Sequence, residues 1–139
     1  MSQSPNRLVG AIFGIVYLLV GLAGFFVTTD VAFVATAGKP LVVFDVNPLH
    51  NIVHLLVGAA LLVGSRTVRS AKAVNSTVGG VYLLVGIVGL FLVGSSANIL
   101  ALNGADNVLH FASAILLLGV GLSADRSPAG TRTAAARTF

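Results

Sequence analysis

With 139 residues, 56% of them hydrophobic and 9% charged, and a mean hydropathy of +0.99, the chain is too apolar for a water-soluble domain, which excludes the soluble enzyme classes. It has no cysteine, so disulfide scaffolds, iron–sulfur clusters, thiol relays and thiolate zinc sites are excluded together. The net charge of +4 lies between the apolar runs, a placement that fits a membrane surface and not nucleic acid.

Crossing a bilayer takes about 20 residues of helix, and four stretches qualify. Leu8 to Val27 is uninterrupted by charge, Pro48 to Ser65 carries only histidines, Val74 to Ser95 is again uninterrupted, and Asn107 to Ser123 carries one histidine. These predict an all-α membrane protein with transmembrane helices at about 8–27, 48–65, 74–95 and 107–123, together a domain over 1–123. Asn47-Pro48 is a good cap and first-turn pair for the second helix. The loop 28–46 suits a short β-hairpin, with Val31 to Ala35 and Leu41 to Val46 flanking the turn-like Ala37-Gly38-Lys39-Pro40. The segment 124–139 is expected to be a disordered basic tail. Ala35-Thr36-Ala37 resembles a signal-peptide cleavage site, but the preceding apolar run is longer than a usual h-region and has a copy later in the chain.

That copy organises the whole sequence. Tyr17-Leu18-Leu19-Val20-Gly21, then Gly24 and Phe26, recurs as Tyr82-Leu83-Leu84-Val85-Gly86, then Gly89 and Phe91. Asn47, Asn51, His54 and Gly58 recur as Asn103, Asn107, His110 and Ala114. Helices 3 and 4 therefore repeat helices 1 and 2. Two hairpins entering from one side make a parallel repeat, with a pseudo-two-fold axis along the membrane normal. Arg7, Arg66, Arg69, Lys72, Arg126, Arg132 and Arg137 fall on one side against Lys39 on the other, which predicts cytoplasmic termini.

Small residues let helices approach closely in lipid, where apolar side chains gain nothing by leaving the tails. Gly10, Gly14, Gly21 and Gly24 share a face with Tyr17, as Gly79, Gly86 and Gly89 do with Tyr82, and ordinary packing is the expected role. The two phenols need partners if buried.

Chemistry, if any, sits on helices 2 and 4. Steps of four, three and four residues put Asn47, Asn51, His54 and Gly58 on one face, and likewise Asn103, Asn107, His110 and Ala114. His54 lies roughly 18 Å from the cytoplasmic boundary, where polar groups are costly. His50 and its counterpart Asp106 lie one turn further out, where Asp106 is placed to pair with His50 or to orient His110. The cluster supports three readings. Its members hydrogen-bond across helices and fix the bundle; or His54 and His110 ligate a haem or a transition metal; or the cluster lines a path for protons or a small polar solute. No cofactor is required by any motif, and phosphate-binding loops, serine arrangements and H-E-x-x-H are absent.

Phe44-Asp45-Val46-Asn47-Pro48-Leu49-His50-Asn51-Ile52-Val53-His54-Leu55, with Gly58 following, resembles the signature of an actinobacterial family of small four-helix membrane proteins, domain of unknown function 4383. The resemblance spans about residues 8–123 and implies a multi-pass bacterial plasma-membrane protein, without supplying an activity. The expectation is a non-enzymatic accessory, structural or stress-related component, whose partners are the bilayer and either further copies of itself or a larger membrane complex.

Overall fold

The computed structural model describes residues 4–125 and contains four helices and one two-stranded sheet. The helices are α1 (Pro5–Val27), α2 (Pro48–Gly64), α3 (Val68–Leu92) and α4 (Gly104–Ser123), and β1 (Lys39–Leu41) and β2 (Phe44–Val46) lie between α1 and α2. Most of the expected tail, 126–139, lies outside the described residues. By length and composition α1, α3 and α4 are apolar enough to cross a membrane, and α2, at 17 residues, is a shorter apolar helix.

Each helix starts on a side chain that accepts from its own first turn. Ser4 accepts from the Arg7 amide, Asn47 from His50, Thr67 from Ser70 and Asn103 from Asp106, so every helix has one of its unpaired N-terminal donors satisfied. Asp106 also accepts from the Asn103 amide, which completes a capping box. These caps explain two departures from expectation. Helix α3 starts at Val68 and not near residue 74, because Thr67 caps it and Arg69 and Lys72 occupy its first two turns without breaking it. Helix α4 likewise starts three residues before Asn107. The α2–α3 link shrinks accordingly to residues 65–67.

The hairpin forms, but in a different frame. Its strands pair Lys39 with Val46 and Leu41 with Phe44, so Lys39 and Pro40 of the expected turn lie within the first strand, and the turn falls at Val42-Val43. Val31 to Ala35 is not a strand. Proline is tolerated in so small a sheet, where an N–H can be spared, and Val42 takes the left-handed φ of 65° that the first position of a two-residue hairpin turn requires.

Helices α1 and α2 pack as one close pair and α3 and α4 as another. Glycines set the approach. A β-carbon on Gly14 would meet the backbone of Gly58 and Leu62 at 2.7–3.0 Å, and one on Gly79 would meet the Leu118 amide at 2.8 Å. Between the pairs, the Tyr17 and Tyr82 rings meet edge to face at 5.5 Å, with Leu61, Ala114 and Leu117 packed around them.

The cationic end is tied by polar contacts. Arg7 donates to the Ser65 carbonyl and Lys72 to that of Ala124, which brings the start of α1, the end of α2, the start of α3 and the end of α4 together. Asp125 accepts from the Ser4 hydroxyl at 2.6 Å and from the Asn6 amide and side chain at 3.1 and 3.0 Å. Asn6 also donates to the Val120 carbonyl, and Asn75 of α3 donates to the backbone and side-chain oxygens of Asn6. At the opposite end Lys39 pairs with Asp30 at 2.6 Å on the surface.

Candidate functional site

Polar side chains share the interior of the bundle with the apolar cluster of Leu61, Ala114 and Leu117. Asn47, His50, Asn51 and His54 of the first stripe are all buried, as are Asp106, Asn107 and His110 of the second; Asn103 is half-buried. The helical spacing therefore brings both stripes inward, together with the glycine faces of α1 and α3.

The outer part of this polar core is anchoring. Asn47 donates to the carbonyls of Ala35 and Ile99, both at 2.8 Å, and so ties together the loops after α1 and after α3. Asn103 donates to the Val43 carbonyl of the hairpin at 3.0 Å. Asn51 donates to the Thr28 hydroxyl, which itself donates to the Gly24 carbonyl. Asn51 and Asn107 point their side-chain oxygens at Gly24 and Gly89, each lying where a β-carbon on the glycine would stand.

Deeper in, five rings meet. His54 stacks on Tyr17 with centroids 5.5 Å apart, and His110 meets Tyr82 edge-on at 5.1 Å. The His50 ring lies against both, 4.5 Å from His54 and 6.5 Å from His110. Tyr17 donates to the Ser113 hydroxyl at 2.9 Å. The Nδ1 atoms of His54 and His110 and the Tyr82 hydroxyl are buried without a hydrogen-bond partner.

Two expected pairings do not form. His50 Nδ1 faces the Asp45 carbonyl at 3.2 Å, and Asp106 is engaged in its own capping box, so the carboxylate neither pairs with His50 nor orients His110. The cause is local: the third residue of a capped helix reaches back to its cap more readily than across the bundle. Nor do His54 and His110 flank an open slot for a haem. Each is covered by its own tyrosine, and the cavity that touches His54 does not reach His110. Among the described residues no group of three or more His, Cys, Asp or Glu side chains is arranged to hold a metal ion.

That cavity opens sideways between α1 and α4 and has a volume of about 310 Å³. Ile12, Val16 and Val20 form one wall and Leu109, Ala112 and Leu116 the other, with Phe44 at one end and Phe13, Tyr17, His54 and Ser113 behind.

Sequence reasoning missed Ser113, Asn6, Asn75 and Asp125. Ser113 lies three residues after His110, and Asn75 extends the Gly79, Tyr82 and Gly86 face by one turn, so both were visible as continuations of known stripes. Asp125 carried no such signal.

The family model described as a domain of unknown function (DUF4383) matches residues 7–123. No curated protein and no solved structure matches the chain.

Proposed function

We propose, from the premise that the chain belongs to the family of domain of unknown function 4383, that it is a four-span protein of a bacterial plasma membrane with both termini cytoplasmic. In this reading α2 crosses with the other three, the two hairpins are related by a pseudo-two-fold axis along the membrane normal, and the role is that of a non-enzymatic accessory or structural component. One observation carries the proposal. The surface is apolar, with Leu19, Phe26, Leu56, Leu84, Phe91, Val108 and Ile115 exposed, whereas Asn, His, Asp and Ser side chains are buried beside the apolar Leu61, Ala114 and Leu117. Water would impose the opposite distribution, and lipid favours this one. The cationic end formed by Arg7, Arg66, Arg69 and Lys72 supports the orientation.

Reporter fusions test the placement. A periplasm-active reporter inserted at Gly38 and a cytoplasm-active reporter at the C-terminus should both give signal, and silence from both would overturn it. A second reading, a path for protons or a small polar solute, is favoured by the unpartnered atoms of His54, His110 and Tyr82. Proteoliposomes loaded with a pH-sensitive dye would then acidify faster than protein-free vesicles, and His54→Phe would abolish the difference.

A further inference from the structure

We infer that three arginines at the cationic end, Arg7, Arg66 and Arg69, bind the headgroup phosphate of an anionic phospholipid in the leaflet that they face. The inference rests on the bilayer placement proposed above and adds a partner to it.

Geometry gathers the three side chains. Arg7 Nε donates to the Ser65 carbonyl at 3.0 Å, so this guanidinium of α1 is fixed beside the link between α2 and α3. Arg66 is the next residue of that link, and Arg69 lies three positions further on, in the first turn of α3. All three are exposed. A guanidinium carries five N–H donors in a planar fork, and the contact with Ser65 uses one of those on Arg7. Its remaining donors keep the paired geometry that matches two oxygens of a phosphate.

The chain itself does not neutralise this patch. Residues 1–139 contain four acidic side chains. Asp30, Asp45 and Asp106 are at the opposite end, after α1, in β2 and in the first turn of α4. Asp125 is at the cationic end, but it accepts from Ser4 and Asn6 and has Lys72 nearby. Among the described residues no arginine forms an ion pair. Helix α3 adds to the positive potential, since its first turn contains no acidic residue and the Val68 and Arg69 amides have no acceptor within the helix. The counter-charge for the patch therefore comes from another molecule.

The surroundings of the charges select the kind of anion. Leu8 follows Arg7, Val63 comes three residues before Arg66, and Val68 precedes Arg69; they are 48%, 56% and 39% exposed. From Leu8 the exposed row continues along α1 through Ile12, Ile15 and Leu19, in steps of four, three and four residues on one face. A phosphate seated on the arginines with an acyl chain along this row belongs to a phospholipid. An acidic soluble protein would match the charges but would have no use for the apolar row that runs on from them. A zwitterionic headgroup brings its own ammonium, which three arginines repel, so the preferred lipid has a net negative charge.

The test titrates phosphatidylglycerol and phosphatidylcholine of identical acyl chains into the full chain in a non-ionic detergent, with native mass spectrometry counting the lipids bound. Each basic residue near an anionic headgroup is worth about fivefold in affinity, so three arginines should favour phosphatidylglycerol by about 100-fold, saturably. Arg66→Gln combined with Arg69→Gln should reduce that preference to about fivefold, with the melting temperature within a few degrees of wild type because both side chains are exposed. Lys39→Gln, which removes one charge at the opposite end, should leave the preference unchanged. Inorganic phosphate, compared with chloride at equal ionic strength, should not displace the lipid. Equal affinity for the two lipids would overturn the inference and leave the charges to an acidic protein. A preference that survives the double substitution, or one that Lys39→Gln lowers as much, would overturn it as well, and displacement by inorganic phosphate would assign the patch to a free anion instead. Failure of the reporter fusions would count against the placement alone, because the preference in detergent does not depend on which leaflet the arginines face.

Discussion

The side-chain oxygen of Asn51 stands where a β-carbon on Gly24 would project, and Asn107 holds the same position against Gly89. In both places an amide oxygen faces the Cα–H of a glycine on the neighbouring helix, a weak hydrogen-bonding geometry that also brings the two backbones close. The two contacts lie at corresponding positions of the two hairpins. They differ in what holds the asparagine, since Asn51 donates to Thr28, whereas the position corresponding to Thr28 is Val93.

Gly24→Ala and Gly89→Ala should each lower stability by about 1–3 kcal/mol, the usual range for overpacking. A β-carbon on Gly80 would meet nothing within 4 Å, so Gly80→Ala should instead gain about 0.5–1 kcal/mol from helix propensity. Thermal unfolding in a single detergent would rank the three variants. Equal effects at Gly24 and Gly80 would contradict the contact.

Tyr17→Phe and Ser113→Ala should each cost about 0.6–2 kcal/mol, because each leaves a buried hydroxyl group without its partner or removes it. The double variant should cost clearly less than the two losses added together. Strict additivity in a double-mutant cycle would show that the hydroxyls are not bonded to one another.

Asp125 sets an acid limit on stability. Hydrogen bonds from Ser4 and Asn6, with Lys72 nearby, hold its carboxyl below the ordinary value of 3.8. A depressed folded-state pKa stabilises the fold above the unfolded-state value, and that contribution is lost as the pH falls through the folded-state value. Wild-type stability should therefore drop below about pH 4. Asp125→Asn keeps a residue type that tolerates the observed φ of 53° and removes the charge. It should lower the melting temperature at pH 7 and flatten the acid limb, and an unchanged limb would assign that limb to another carboxylate.

Val42 occupies a left-handed backbone conformation at 86% exposure, with no packing to offset the strain. Val42→Gly should relieve about 1–2 kcal/mol locally. Slower amide exchange at Leu41 and Phe44 would report it, and faster exchange would mean that the hairpin turns elsewhere.

Legibility followed periodicity. Glycine faces and polar stripes at helical spacing could be read directly, because helices that pack through small residues on one face leave a repeating trace. Charge is a poor marker of the start of α3, because Arg69 and Lys72 lie within the first two turns of a helix capped by Thr67. The link between Asp106 and His50 failed for a complementary reason: a residue three places after Asn103 is also the partner in a capping box, and only the three-dimensional path of the backbone decides which use prevails. Contacts between residues far apart in the chain, such as Ser113 with Tyr17 or Asp125 with Asn6, leave no periodic mark, and the fold alone revealed them.

The position of Asp125 at the far end of α4 also bears on biogenesis. Synthesis proceeds from the N-terminus, so Ser4 and Asn6 are made long before their carboxylate partner exists, and Tyr17 and His54 both precede Ser113. The first hairpin must therefore tolerate its inward-facing asparagines and histidines without the second, sheltered only by its own glycine-lined contact. Completion of α4 gives the Tyr17 hydroxyl its Ser113 partner and brings Asp125 to the start of α1, so the two contacts that tie the first helix to the last both wait for the final stretch of chain.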